Sequence, residues 1–404
     1  MYYFAKPDTG VLRYDFALDH RHPLWSSNDI RAVRIGDGPT WTCFAIYQGI
    51  YGPDTCAFVH RYLLDDILND VAQITFKYYP TDDNHEEVGS AIPPEEALKP
   101  LSEAVDNIIR DNFVQMQKYI VDNGLEEILS SPSRSAANGL LSRAVSGCTS
   151  FLALYDSHSS LLNVVTTGNS RAVLGRRVQS GQAGWKYQAH EIPPPTLKTT
   201  SGDCSSDDNS NAFGLAMQRW NPDVQERLDR GYLYKPPVVG DHKFLGSNAI
   251  EPCFHSIEIH RGDFLVAGTD ALWDAFTSKE VVDLVNVWLD QEHKGQSDAS
   301  PVVALSGRQK IPQENRQRSG IDKQFQCADV NVATHIIKNA ISQDRYSLTP
   351  GTQNAPDPQG TKYMKQRNGV GVLVIFFDDR RSPVHENLIL VQSNADGSTD
   401  DQWS

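Results

Sequence analysis

An α+β fold in one domain is what this sequence predicts, on three observations. Short apolar runs separated by turn residues occupy the middle of the chain, helix-period segments lie on either side of them, and further strand-like runs return near the C-terminal end. Strands drawn from both ends with helix pairs between them belong to a single unit, placed at residues 1–378. Loop insertions fall near 192–212, 293–324 and 344–366, and a polar tail covers 379–404.

Residues 40–48, Thr-Trp-Thr-Cys-Phe-Ala-Ile-Tyr-Gln, are rich in β-branched and aromatic side chains and predict a buried strand. Pro53 and Asp54 then open a helix whose apolar positions are Phe58, Leu63, Leu64, Ile67 and Val71. A longer helix is expected from Pro94 to about Gly124, with Ile108, Ile109, Phe113, Met116 and Ile120 at helical spacing. From Cys148 the period changes. Apolar runs at 148–155, 161–167 and 171–176 are divided by Ser157-His158-Ser159 and Gly168-Asn169-Ser170, a pattern that predicts a three-stranded antiparallel meander. Runs at 255–260, 263–268 and 370–377 predict more strands, and 279–291 and 330–342 predict helices.

The bulk composition excludes several roles. The chain has 404 residues, 39% hydrophobic and 22% charged, ordinary values for a globular protein with a sizeable core. A formal net charge of −14 disfavours nucleic acid and anionic membrane surfaces as partners. No apolar stretch is long enough for a membrane span, and the N-terminus lacks both a secretory core and the Arg-rich character of a presequence. The expectation is a cytoplasmic protein, with the nucleus as the alternative. The six cysteines are scattered without a C-x-x-C pair, which indicates small buried residues rather than a zinc site or a disulfide framework. No G-x-G-x-x-G, Walker loop, G-x-S-x-G or H-E-x-x-H pattern is present.

Five segments carry a resemblance. Ser146-Gly147-Cys148-Thr149 is similar to S-G-(S/C)-T, and Thr167-Gly168-Asn169-Ser170-Arg171-Ala172-Val173-Leu174-Gly175 to T-G-D-S-R-A-V-L-G. Residues 264–274, from Phe264 through Asp270 to Asp274, are similar to F-L-(V/I)-L-A-(T/C)-D-G-L-W-(D/E). Ser210-Asn211-Ala212-Phe213-Gly214-Leu215, with Trp220, Asp223, Gln225 and Arg227 after it, is similar to S-R-A-F-G-D…W…D-x-Q-x-R. Asn331 to Ala340 is similar to N-A-A-T-H-L-I-R-N-A. In this order, over roughly residues 10–378, the segments resemble the metal-dependent protein phosphatases (PPM, or protein phosphatase 2C), and the pyruvate dehydrogenase phosphatase-like branch in particular. The resemblance implies an α/β/β/α sandwich of two antiparallel sheets flanked by helix pairs. It also implies a site at one end of the sandwich, where aspartates hold two Mg²⁺ or Mn²⁺ ions and a bridging water attacks phosphorus.

Position by position, that site is degenerate. The family's F-D-G-H-G-G becomes Tyr47-Gln48-Gly49-Ile50-Tyr51-Gly52, so the metal-bridging Asp is Gln48 and the general-acid His is Ile50. The final Asp of S-R-A-F-G-D is Leu215, and the D-(N/D) pair before the last strand is Asn368-Gly369. The branch's P-I-E-D stretch is missing where Ser27-Asn28-Asp29 runs into Ile30, which leaves Asp29 as a candidate remnant and Asp270 as the clear surviving carboxylate. Two divalent cations about 3.5–4 Å apart need negative oxygen ligands to offset their repulsion, and amides or leucine supply no charge. No resident metal or other cofactor is therefore expected.

Other residues admit plainer readings. Asp270 is expected to bond backbone near Ala271 and Leu272, Trp273 to pack in the core, and Arg171 to be tied to loop carbonyls or a carboxylate. His20 and His22 lack a convergent third ligand, and Asp207-Asp208 reads as a solvated loop. The functional expectation is a pseudophosphatase that binds an unidentified protein partner. The first alternative is a binder or enzyme for a small, partly apolar organic ligand in a cleft lined by Tyr47, Gln48, Ile50, Tyr51, Asn169, Leu215 and Asn368. The second is a weak Mg²⁺- or Mn²⁺-dependent serine/threonine phosphatase built on Asp270.

Overall fold

The computed structural model describes residues 10–18, 26–34, 40–78, 95–131, 133–179, 185–192, 211–231, 250–297, 308–309, 325–326, 331–347 and 370–377. Its elements, in order, are β1 (Val11–Leu18), β2 (Ser26–Arg34), β3 (Thr40–Ile50), α1 (Asp54–Tyr78), α2 (Glu95–Lys118), a π-helical turn (Tyr119–Asn123), α3 (Gly124–Leu129) and α4 (Arg134–Val145). Then follow β4 (Gly147–Asp156), β5 (Leu161–Thr166), β6 (Arg171–Gln179), β7 (Trp185–Ile192), β8 (Phe213–Gly214), α5 (Ala216–Arg219) and α6 (Pro222–Gly231). The last are β9 (Cys253–Glu258), β10 (Phe264–Gly268), α7 (Asp270–Ala275), α8 (Ser278–Ser297), β11 (Arg308–Gln309), β12 (Phe325–Gln326), α9 (Val332–Ser347) and β13 (Gly371–Phe377).

Alternation along the strands sorts their side chains into three layers of core. On β3, Trp41, Cys43, Ala45 and Tyr47 face α1 and α2, where they meet Leu63, Leu64, Ile67, Ile109 and Phe113. Phe44 and Ile46 point the other way, onto Leu265, Ala267, Leu373 and Ile375 of the second sheet. That sheet's outer face, with Val173, Phe264, Val266 and Val374, packs under α8 and α9. The first sheet runs β2-β3-β4-β5-β9 with β8 beside β4, and the second runs β1-β13-β10-β6-β7. The result is an α/β/β/α sandwich of two antiparallel sheets.

Three expectations are corrected. The run after Cys148 is not a meander, because β5 pairs with β4 in one sheet while β6 pairs with β10 in the other. The turn between them makes the transfer: Gly168 holds φ at +61°, and a Cβ there would come within 2.3 Å of the Thr149 side chain, so glycine alone fits. The helix expected to run unbroken to Gly124 changes to a π-helical turn at Tyr119. The loops placed from 293 and 344 begin later, since α8 continues to Ser297 and α9 to Ser347. The remaining parts of the three loop insertions and the tail from 379 lie outside the described residues.

Cys43, Cys56 and Cys148 are buried and Cys253 is half-buried. Burial pushes the Cys148 thiol well up, with the hydrogen-bonded Cys56 adding to it, and burial likewise raises Cys43. A thiolate is the reactive species, so these thiols should be inert in the native protein. In timed alkylation read by peptide mass spectrometry, Cys253 is expected to label first of the four, and Cys43, Cys56 and Cys148 only on unfolding.

Candidate functional site

The even-numbered side chains of β3 face the second sheet, so Gln48 continues the row of Phe44 and Ile46 to the sandwich's end. From the opposite sheet, β10 stops at Gly268 and the chain turns into α7, whose first residue is Asp270. Thr269 fixes this exit by exchanging bonds with Gly371: its N–H donates to the Gly371 carbonyl at 3.1 Å, and its Oγ1 accepts the Gly371 N–H at 3.0 Å. Gln48 and Asp270, 222 residues apart, then meet directly. Gln48 Nε2 donates to Asp270 Oδ1 at 3.1 Å, and the same oxygen accepts the Ala271 N–H at 2.8 Å.

The chemistry of this pair is specific. A carboxylate only accepts, so the amide must turn its NH₂ toward Asp270, and the partial positive charge of that group faces the anion. Gln48 is 6% exposed and Asp270 half-buried, so the contact is partly shielded from water. In the resemblance, Gln48 takes the place of the residue that bridges both metals. Here it neutralises part of the Asp270 charge and contributes none of its own, so the donor set does not fit a pair of divalent cations. Among the described residues no group of three or more His, Cys, Asp or Glu side chains is arranged to hold a metal ion.

Several neutral side chains stand near the pair. Thr149 stands opposite Gln48 in the β3–β4 register, and Ser170 Oγ donates to its Oγ1 at 3.4 Å. Asn169 is half-buried in the turn that follows Gly168. Leu215 is fully buried at φ +51°, ψ +37°, a left-handed conformation costly for leucine but well tolerated by Asp or Asn. Its side chain lies against Gly147. The segment is held by Leu215 N–H donating to Ser146 O at 2.9 Å and by Arg219, which donates to the carbonyls of Gly214 (2.9 Å) and Ala212 (3.1 Å). Burial lowers the Arg219 guanidinium to about 10, so it stays charged at neutral pH.

Several sequence-predicted residues fall elsewhere. Tyr47 does not line a cleft: odd-numbered β3 side chains face the helices, and its ring is fully buried 5.6 Å from that of His60. Leu215 is likewise core. Gly49 and Ile50 are half-buried and Tyr51 is exposed, with a positive φ of 58°. Asp29 pairs in register with Ala45, and so lies on the helix-facing side of its sheet; it forms an ion pair with Arg31, which also reaches Asp65 of α1. The pleat therefore removes it from the Asp270 end. Among the described residues Arg171 is not tied to carbonyls or a carboxylate. Its guanidinium lies 5.2 Å from the Trp273 ring, and its Nε is buried without a hydrogen-bond partner. Trp273, half-buried, donates to Gly268 O at 3.0 Å. Asn368, Gly369, His20, His22, Asp207 and Asp208 lie outside the described residues. Sequence reasoning missed the Gln48–Asp270 bond, for which no local signal exists.

No protein-family profile matches the sequence. A protein phosphatase 2C homolog of Schizosaccharomyces pombe is 25% identical over 396 residues, which cover 92% of this chain and 81% of the relative. Mitochondrial pyruvate dehydrogenase [acetyl-transferring] phosphatase 1 of Saccharomyces cerevisiae is 24% identical, with 98% of this chain and 74% of the relative covered. Among solved structures, a serine-threonine phosphatase 2C from Toxoplasma gondii superimposes with a TM-score of 0.47 at 12% identity, over 91% of this chain and 99% of that one. Among the described residues no helix is long and apolar enough to cross a membrane.

Proposed function

We propose that this chain, which belongs to the metal-dependent protein phosphatase family in its pyruvate dehydrogenase phosphatase-like branch, is a pseudophosphatase that binds a partner protein and does not hydrolyse phosphate. The observation that carries the reading is the Gln48–Asp270 hydrogen bond: an amide satisfies the surviving carboxylate where a cation would have to sit. The substitutions at Ile50, Leu215 and Asn169 point the same way, since each replaces a charged or proton-transferring group by a neutral one. With the fold kept and the donor set neutralised, surface recognition is the role that remains.

The rival reading, a small organic ligand in the old cleft, loses support because Tyr47 and Leu215 are packed in the core. The weak-phosphatase reading would rest on Asp270 with replacement ligands. A cytoplasmic or nuclear location stays part of the proposal, although the name of the S. cerevisiae relative places that protein in mitochondria; cell fractionation of the full-length product decides it.

Hydrolysis is the direct assay. With a phosphothreonine peptide and an aryl phosphate, over micromolar to millimolar Mg²⁺ and Mn²⁺, the expected rate equals that of a denatured control. Turnover that disappears in Asp270→Asn would overturn the proposal and revive the weak phosphatase.

A further inference from the structure

We infer that Ser131, in the loop between α3 and α4, is a phosphorylation site for a proline-directed protein kinase that selects a basic residue three positions beyond its acceptor. The inference stands on a different part of the molecule from the Gln48–Asp270 pair, and holds whether or not the metal site is lost.

The loop reads Ser130-Ser131-Pro132-Ser133-Arg134. Proline after the acceptor has two effects. It holds Ser131 to the extended backbone that a kinase cleft accepts, because the α conformation is disfavoured before proline. It also removes the next N–H, which selects a kinase whose pocket needs no donor at that position. Arg134 then places a cation at the third position, with a fork suited to a carboxylate or phosphate on the enzyme. The chain has three other Ser-Pro or Thr-Pro pairs, at Ser300, Thr349 and Ser382. Their third positions are Val303, Thr352 and His385, so the lysine-or-arginine requirement singles out Ser131.

The fold presents this segment. α3 is only six residues long and ends at Leu129, and α4 begins at Arg134. Ile128 is fully buried before the loop and Ala137 after it, and no described side chain between them is buried. Ser130 and Ser133 are exposed and Ser131 is half-buried. The Ser131 hydroxyl donates to the Ser133 carbonyl at 3.3 Å, a long and weak bond. Lifting the loop into a kinase cleft therefore breaks hydrogen bonds rather than packing: Ser131 N–H to Ile128 O at 3.2 Å, and Ala136 N–H to Ser133 Oγ at 3.2 Å. Ser133 does not compete as acceptor, since no proline follows it and its Oγ caps α4.

In the transfer, Ser131 Oγ attacks the γ-phosphorus of MgATP. The Oγ–P bond forms as the bond to ADP breaks, ADP leaves with the electron pair, and the kinase's base takes the hydroxyl proton. The product carries about two added negative charges at neutral pH. Glu126 and Glu127 of α3 oppose that charge, while the free first-turn N–H groups of α4 and the Arg134 cation favour it.

The test incubates the folded full chain with MgATP and a cyclin-dependent kinase–cyclin complex, an enzyme of the class described. Peptide mass spectrometry is expected to find phosphate on Ser131, and none at that position in Ser131→Ala. Arg134→Ala should slow its incorporation about tenfold or more, as loss of a charged recognition contact does. Circular dichroism and the unfolding midpoint check that each variant is folded. A synthetic peptide spanning residues 126–138 serves as the unfolded reference. Phosphate on the peptide but not on the folded chain would show that the fold hides Ser131, and would overturn the inference. Absence of phosphate from both, phosphate confined to Ser300, Thr349 or Ser382, or an unchanged rate in folded Arg134→Ala would overturn it equally.

Discussion

Gln48→Glu is expected to destabilise the protein by about 3 kcal/mol at neutral pH and to make its stability depend on Mn²⁺. The substitution keeps the size of the side chain and replaces the amide that donates to Asp270 Oδ1 at 3.1 Å. A hydrogen bond to a charged acceptor is worth about 1.5–3 kcal/mol, and two carboxylates within about 3 Å add repulsion to its loss. The sign with pH follows. Repulsion raises the introduced carboxyl's pKa in the folded state above its unfolded value, so the folded protein binds more protons in that window. Stability is then lost as pH rises through the raised value and recovered below it. A divalent cation offers the second remedy, because the variant again has two carboxylates at one end of the sandwich. Thermal unfolding with and without Mn²⁺ checks both, with an upward shift expected for Gln48→Glu and none for the parent. Equal stability of variant and parent at pH 7 would mean that the amide is not what neutralises Asp270.

The second large effect is structural. Asp263→Ala is expected to cost about 3–5 kcal/mol, the range for removing one partner of a buried ion pair. Asp263 is fully buried in the crossing from β9 in one sheet to β10 in the other. Its carboxylate accepts from Arg176 Nε at 3.1 Å, from the Arg177 N–H at 3.2 Å and from the His260 N–H at 3.0 Å. Alanine would leave all three donors without their acceptor and Arg176 without its charge partner. Asp263→Asn keeps one acceptor oxygen and should cost less. Urea unfolding of the three proteins gives the order parent, Asn, Ala; an alanine variant within about 1 kcal/mol of the parent would contradict it.

How much of this was legible in the sequence depended on the range of each interaction. α1, α8 and α9 could be placed because one buried face imposes its period on their own residues, and β3 because a strand buried on both faces is a run of β-branched and aromatic side chains. β2 and β7 were not seen: they are edge strands, and runs such as Ser-Ser-Asn-Asp-Ile-Arg and Trp-Lys-Tyr-Gln-Ala-His are too polar to stand out. The transfer between β5 and β6 was misread as a meander because alternation gives a strand's faces, not its sheet. At the site, the resemblance supplied the positions of Gln48, Leu215 and Asp270, but not the faces. Asp29 fell away once its pairing with Ala45 was known, and Tyr47 once its parity along β3 was set against α1. The Gln48–Asp270 bond joins two strand ends of opposite sheets, a juxtaposition that only the packed sandwich creates.

The most direct test of the central claim is Mn²⁺ binding to the metal-stripped parent protein by isothermal calorimetry. The account predicts no saturable heat up to millimolar Mn²⁺, because the Gln48 amide already satisfies Asp270 and supplies no charge for a second ligand. Stoichiometric binding of two ions, abolished in Asp270→Asn, would contradict it and restore a dinuclear phosphatase centre.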